Sequence, residues 1–312
     1  MSAAVQPMPS AYSPTASQIA VAYSVCRSIT RAEAKNFYYA FLVLPTAKRQ
    51  ALCAVYAYMR RCDDIADDVK LPAPERRQRL DAWLDAFHRS EAGHPTDDPV
   101  LLALTDTQRR YKIPLELLDQ LAYGTGMDIQ DNESAPSGST ELQVLYRTFS
   151  DLRQYCYRVA SVVGLVCIRI FGYRDPAAEA LAENLGLAFQ LTNIIRDIQE
   201  DANMGRIYLP AEDLERFKIG PEDFRQATIS ERLRWLLAAE ADRAREYYVS
   251  ARHLMTLIDE DSQPALWVLV TIYRRLLEKI SDRKYDVFGK KISLTVREKG
   301  VILGKGLVRR LA

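Results

Sequence analysis

NLGLAFQLTNIIRDIQEDANMGRIYLP, running from Asn184 to Pro210, carries two patterns at once. Leu185, Leu187, Ala188, Leu191, Ile194, Ile195 and Ile198 recur at helical spacing, the mark of a helix packed into a core. Into that apolar field is cut one polar stripe: Gln190, Asn193, Asp197 and Asp201. At about 100° per residue these four fall within a roughly 80° arc over three turns. Arg196 borders the stripe, and Arg206 and Tyr208 follow just past the helix. A buried carboxylate without a partner is costly, and like charges one turn apart weaken a helix by a few tenths of a kcal/mol. Such a stripe expects a cation. A solvated face is the plain alternative for two acids on a helix, but the unbroken apolar flanks and the Asn and Gln within the stripe argue against it.

A second stripe lies earlier. AVYAYMRRCDDIADD (Ala54 to Asp68) has a helical period and puts Tyr56, Arg60, Asp63, Asp64 and Asp67 on one side. Two acid-bearing helices, each with an arginine beside its carboxylates, suggest facing halves of a single site. The chemistry they suit is diphosphate handling. Magnesium takes oxygen ligands and is held by one or two carboxylates plus substrate phosphates, while arginine forks take the remaining phosphate oxygens.

Composition narrows the alternatives. The 312 residues are 48% hydrophobic and 27% charged, with a net charge of +1, so no global basic signal points to nucleic acid. Charge is uneven, however: residues 283–312 hold nine Lys/Arg against Asp286 and Glu298, a local +7. Such a tail suits contact with anionic lipid or diphosphate, or is a solvated basic end. The five cysteines (Cys26, Cys53, Cys62, Cys156, Cys167) are odd in number and sit among apolar helical residues, as expected of core side chains in a reducing compartment. His88, His94 and His253 lie far from either stripe, and no zinc or Ser/His/Asp pattern is present. No run reaches the roughly 18 uncharged apolar residues of a membrane span, and the first residues lack the cationic start of a signal peptide. The expectation is a cytoplasmic protein, with peripheral membrane contact through the basic end; the oligomeric state is not readable.

Along the chain, Thr30 and Glu33 read as a capping box opening a helix. Asp98-Pro99, Ile113-Pro114 and Asp175-Pro176 mark further helix starts. Glu133–Thr140 is the clearest loop. Glu141 to Phe171 reads as one long helix closed by Gly172, with Tyr155, Val159, Val163 and Val166 on one face. Helices from Ser230 to about Ile258 and from Pro264 to Tyr285 complete the pattern, with no strand-length alternation and no Gly-rich phosphate loop. The expected fold is all-α: a single-domain helical bundle around a deep central cavity, spanning residues 15–290 between a loose tail (1–14) and a basic C-terminal tail (291–312).

The motifs DDIAD (Asp63–Asp67) and NIIRDIQED (Asn193–Asp201), with NFYYAF (Asn36–Phe41) before the first and GRIYLP (Gly205–Pro210) after the second, resemble the squalene/phytoene synthase family. The resemblance spans roughly Glu33 to Lys291. It implies the isoprenoid synthase fold and the head-to-head joining of two identical allylic prenyl diphosphates through a cyclopropylcarbinyl diphosphate. By analogy Asp63, Asp64, Asp67, Asn193, Asp197 and Asp201 hold Mg²⁺, with Mn²⁺ as a substitute. Arg60, Arg196 and Arg206 match diphosphate-contacting positions, and Gln190, Tyr208 and Tyr273 match pocket positions. Tyr155 stands where a phenol could assist proton transfer or steady a carbocation; Phe37 and Tyr56 fall among the substrate contacts.

Two positions depart from the family pattern. Asn36 replaces a Ser before Phe-Tyr, and Lys290 and Lys291 follow DVF where many members have Arg, keeping the charge but losing the fork. Phe41, one turn beyond Phe37, favours a floor suited to C15 farnesyl diphosphate, whereas small Cys53 leaves room for C20 geranylgeranyl diphosphate and a phytoene product. A reductive step to squalene would need NADPH. A chain elongase, a terpene cyclase and an inactive assembly factor of the same fold are the rivals; retention of every acid in both motifs disfavours the last.

Overall fold

Thr15 starts the first helix. Its hydroxyl accepts the Gln18 amide at 3.2 Å while the Gln18 side chain reaches back to the Thr15 N–H at 2.8 Å, satisfying two end donors reciprocally. α1 then runs Ala16–Glu33, followed by α2 (Phe37–Phe41), α3 (Thr46–Ala66), α4 (Ala73–Glu91), α5 (Pro99–Tyr111) and α6 (Leu115–Ser134). The short strand β1 (Gln143–Val144) precedes α7 (Phe149–Cys156), a π-helical turn (Tyr157–Ser161) and α8 (Val162–Phe171). α9 (Ala177–Asn203) is followed by β2 (Arg206–Ile207), α10 (Ala211–Phe217), α11 (Glu231–Ser250), α12 (Leu254–Leu257), α13 (Gln263–Asp282) and α14 (Val296–Leu311). The computed structural model describes residues 13–34, 37–68, 70–134, 142–226 and 228–311.

The fold is all-α, as expected. Among the described residues, extended pairing is limited to β1 with β2, in parallel, and one Tyr173–Ile258 bridge. α9 is the central post. All seven apolar residues read from its sequence are buried, and it packs against α7, the π-turn, α8, α11 and α13. α3 is the post of the other half, packed on α1, α4, α5, α6 and α8.

Glycines set how close these helices come. A Cβ on Gly186 of α9 would lie 2.6 Å from Ser161 Cα and 2.8 Å from Ala160 O, and one on Gly164 of α8 would lie 2.9 Å from Ala182 O. These two contacts, crossed in order, lay α9 antiparallel to the π-turn and α8 at backbone distance.

Several local expectations are corrected. Thr30 is no cap: it lies inside α1, where its hydroxyl reaches the carbonyls of Cys26 at 2.8 Å and Cys53 at 3.2 Å, tying α1 to α3. The helix expected from Glu141 starts instead at Phe149, capped by Thr148 with Asp151, because the residues before it pair with β2. By length and composition Phe149–Phe171 could cross a membrane, yet half of its most apolar window is buried inside the fold. The Asp175 carboxylate does accept the Ala177 amide at 2.9 Å at the start of α9. Gly172 ends α8 with φ +81°, a conformation that suits glycine.

The packing has no boundary at residue 290. Ile292, Leu294 and Ile302 are buried, and α14 lies on α13 and α2. The basic end is a packed helix whose buried stripe is too short to stand out in the sequence. All five cysteines are free thiols, four of them buried.

Candidate active site

A cavity of about 220 Å³ lies between α2, α3, the π-turn, α8, α9 and α13. Phe41, Leu52, Ile168, Phe171, Leu254 and Leu266 form its apolar part, while Tyr56, Gln190, Asn193 and Tyr273 bring polar atoms to its wall. The order along the helices separates these parts into two ends. On α3 the lining runs from Leu52 and Val55 to Tyr56 and Met59; on α9 it runs from Ala182 and Leu185 to Gln190 and Asn193. Beyond Tyr56 on α3 come Arg60, Asp63, Asp64 and Asp67. Beyond Asn193 on α9 come Asp197 and Asp201. Both acidic stripes therefore continue from the polar end of one shared cavity.

The rings of the cavity wall form a packed group. Phe189 stacks on Tyr273 with centroids 4.2 Å apart, and Phe37 meets Tyr273 at 6.1 Å and Phe41 at 6.5 Å. The Asn193 amide lies beside the buried Tyr273 hydroxyl, whose pKa burial raises. Asn193 Oδ1 is buried without a hydrogen-bond partner.

Charges around the α9 stripe are compensated unequally. Arg196 Nε donates to Asp197 at 2.8 Å, and Lys291 Nζ stands 3.0 Å from the same carboxylate while also pairing with Glu200. Burial works against the ionised Asp197, but these two cations outweigh it and hold its pKa below the usual range. Asp201, one turn on, is pushed up to about 7, by burial first and then by the Asp197 charge, with Arg206 opposing. On α3, Arg60 Nη2 pairs with Asp64 at 2.5 Å, and the Thr125 hydroxyl of α6 lies 3.4 Å from Asp63 Oδ1. Asp67 closes α3 as its exposed C-cap residue. Among the described residues no group of three or more His, Cys, Asp or Glu side chains forms a ready-made metal cage.

Other predicted residues sit elsewhere. Tyr155 does not line the cavity; its ring stacks on Tyr208 at 5.2 Å and meets Tyr146 at 5.4 Å, while Arg206 Nη1 approaches the Tyr208 hydroxyl at 3.4 Å. Val166 is core, whereas Val159 and Val163 do line the cavity. The π-turn between Tyr155 and Val163 offsets the faces before and after it, which a uniform helical period misses. Cys53 does not shape the cavity either: it is fully buried, and Thr30 of α1 donates to its carbonyl. Asn36 lies outside the described residues. Sequence reading missed Phe189, which the wheel places only about 40° from Asn193. It also missed Thr125 and Tyr146, which come from distant segments and carry no local signal.

An all-α shell around a greasy cavity, with acid-bearing helices leading off its polar end, is the architecture of isoprenoid synthases. The model of the squalene/phytoene synthase family matches residues 30–298. The chain is 37% identical to a 15-cis-phytoene synthase of Synechococcus elongatus, over 92% of each chain. It is 35% identical to a presqualene diphosphate synthase of Zymomonas mobilis, over 81% of this chain and 82% of that one. A crystal structure of a dehydrosqualene synthase in complex with ligand superposes with a TM-score of 0.81 at 30% identity, over 93% of this chain and 96% of that one. The chain belongs to the squalene/phytoene synthase family, the prenyltransferases that perform head-to-head prenyl condensation.

Proposed function

We propose that the chain condenses two molecules of farnesyl diphosphate, through a cyclopropylcarbinyl diphosphate, to a C30 product. The observation that carries this reading is the pair of bulky rings in the apolar part of the cavity. Phe41 and Phe171 both line it, and the small residue that argued for a longer tail, Cys53, does not: its thiol lies beside Thr30 and Cys26 of α1. Asp63, Asp64 and Asp67 on α3, with Asn193, Asp197 and Asp201 on α9, would hold Mg²⁺ or Mn²⁺. The donor set is all oxygen, and the orphaned Asn193 Oδ1 stands on the same helix face as Asp197 and Asp201, as a hard cation completed by phosphate oxygens requires. When bound, the ion neutralises charge developing on the departing diphosphate.

The protein's own groups do the rest. Arg60, Arg196 and Lys291, now paired with Asp64 and Asp197, are the cations that a diphosphate would draw towards itself, with Arg206 beside Tyr208. Tyr56 and Gln190 position the head of the substrate. Phe37, Phe189 and Tyr273 keep water from an allylic cation and offer it aromatic faces. Tyr155 acts at the diphosphate end, through Tyr208, rather than along the tail.

The names of the relatives favour a second reading, two geranylgeranyl diphosphates giving phytoene. Mass analysis of products from the C15 or the C20 diphosphate with Mg²⁺, with and without NADPH, separates the two. C30 product from the C15 substrate is expected, and C40 product with little C30 would reverse the assignment. Asp63→Ala and Asp197→Ala should each lower turnover by at least about a hundredfold with little change in melting temperature. Full activity in both variants would remove the catalytic reading, and a need for isopentenyl diphosphate would point to elongation.

A further inference from the structure

α14 turns its apolar side outward. A surface helix ordinarily buries its apolar stripe and shows charge to water. Here the inner side carries Ile302, which is buried, and Gly306, where a Cβ would lie 2.5 Å from Val268 Cγ2 of α13. Cations flank that contact: Lys299 lies 5.8 Å from the Tyr39 ring, Arg309 lies 4.5 Å from the Trp267 ring, and Arg310 reaches the Leu44 carbonyl at 3.3 Å. The outer side shows Val296 (78% exposed), Val301 (53%), Leu307 (40%) and Val308 (67%). Between them stand Gly300 and Gly304, where an added Cβ would meet nothing within 4 Å. Glycine in an exposed helix interior costs about 1 kcal/mol, and nothing packed against these two requires it.

A groove of about 420 Å³ runs along one flank between α13 and α14, lined by Arg274, Arg275 and Arg297 with Glu278 and Glu298, beside Val301. Arg275 pairs with Glu278 at 3.0 Å; Arg274 and Arg297 make no ion pair among the described residues.

We propose that this face of α14 docks on an anionic lipid bilayer, with its valines and Leu307 entering the interface and Arg274 and Arg297 seating a lipid phosphate. Charge selects the bilayer over a second copy of the chain. α14 carries Arg297, Lys299, Lys305, Arg309 and Arg310 against Glu298 alone, and Glu298 is already engaged by Lys279 at 2.8 Å. Arg297 and Lys305, the two cations outside the inner contact, would repel their counterparts on a second copy, whereas an anionic surface attracts both. The placement has a consequence for the cavity. α14 packs on α2 and α13, which supply Phe37, Phe41, Leu266, Leu269 and Tyr273 to its wall, so docking sets that wall against the phase in which greasy diphosphates dissolve. The inference goes beyond the condensation and is independent of which prenyl chain is used.

The test is flotation of the full chain with phosphatidylcholine vesicles and with vesicles that also contain phosphatidylglycerol. Binding should require the anionic lipid and weaken in high salt. The double variant Val301→Asp/Val308→Asp should abolish it, and Arg274→Gln and Arg297→Gln should each weaken it by roughly fivefold. Far-UV circular dichroism and melting curves check that the variants fold. No binding, equal binding to phosphatidylcholine alone, or binding unchanged in all the variants would overturn the proposal. A vesicle-inert dimer that dissociates on Val308→Asp would overturn it too, assigning the face to a second copy.

Discussion

Glu240 on α11 shows how far a carboxyl can be displaced away from the cavity. It is 1% exposed; Oε1 accepts from Arg243 at 2.7 Å, while Oε2 is buried without a partner. Burial drives its pKa up to about 7 from an ordinary 4.5, Arg243 opposing and Asp213 adding to the rise. Between those values the folded chain holds a proton that the unfolded chain has released, so stability should fall as pH rises through that window. Glu240→Gln should flatten the slope of urea midpoint against pH there, and an unaltered slope would contradict the assignment. Glu240 reads in the sequence as one acid of a charged helix with Arg243 one turn along, and only the approach of Asp213 on α10 makes it part of a buried cluster. The stripe residues were legible because one helix carries them. Asn193, Asp197 and Asp201 share a face by covalent geometry alone, whereas Lys291, which joins Arg196 in answering Asp197, arrives from nearly a hundred residues away.

At the scale of elements, the close approach of α9 to the π-turn and α8 depends on Gly164 and Gly186. Gly186→Ala would press a methyl into the backbone of Ala160 and Ser161, and overpacking of this kind costs about 1–3 kcal/mol. A lowered melting temperature and reduced turnover are expected, since Gly186 also lines the cavity; wild-type stability would mean that the two helices part at no cost. Helix positions were legible from apolar period and from caps such as Asp98, whose side chain accepts the Val100 amide at 2.8 Å. The π-turn was not, because one residue of extra winding leaves the same apolar composition. β1 was not either, because a two-residue strand exists only through its partner β2.

For the molecule as a whole, α3 and α9 bury their apolar faces against their neighbours, and Arg60, Arg196 and Lys291 answer part of the acid charge. Chelation of divalent metal should therefore abolish turnover while leaving the circular dichroism and melting temperature nearly unchanged. Mg²⁺ together with inorganic diphosphate should raise the melting temperature more than either alone, since a ligand that binds only the folded chain stabilises it by mass action. Unfolding on chelation would show instead that the ion is structural.

The amino-acid sequence alone determined that this chain is a bundle of helices and that two of them carry carboxylates in rows, because helical period and face are local properties of the backbone. The tertiary structure decided what those rows share: a cavity lined by Phe41 and Phe171 in its apolar part, a lysine from near the chain's end lying on Asp197, and a C-terminal helix with its valines outward. Contacts between residues distant in the chain depend on how whole helices stack, and no stretch of sequence read by itself contains that information.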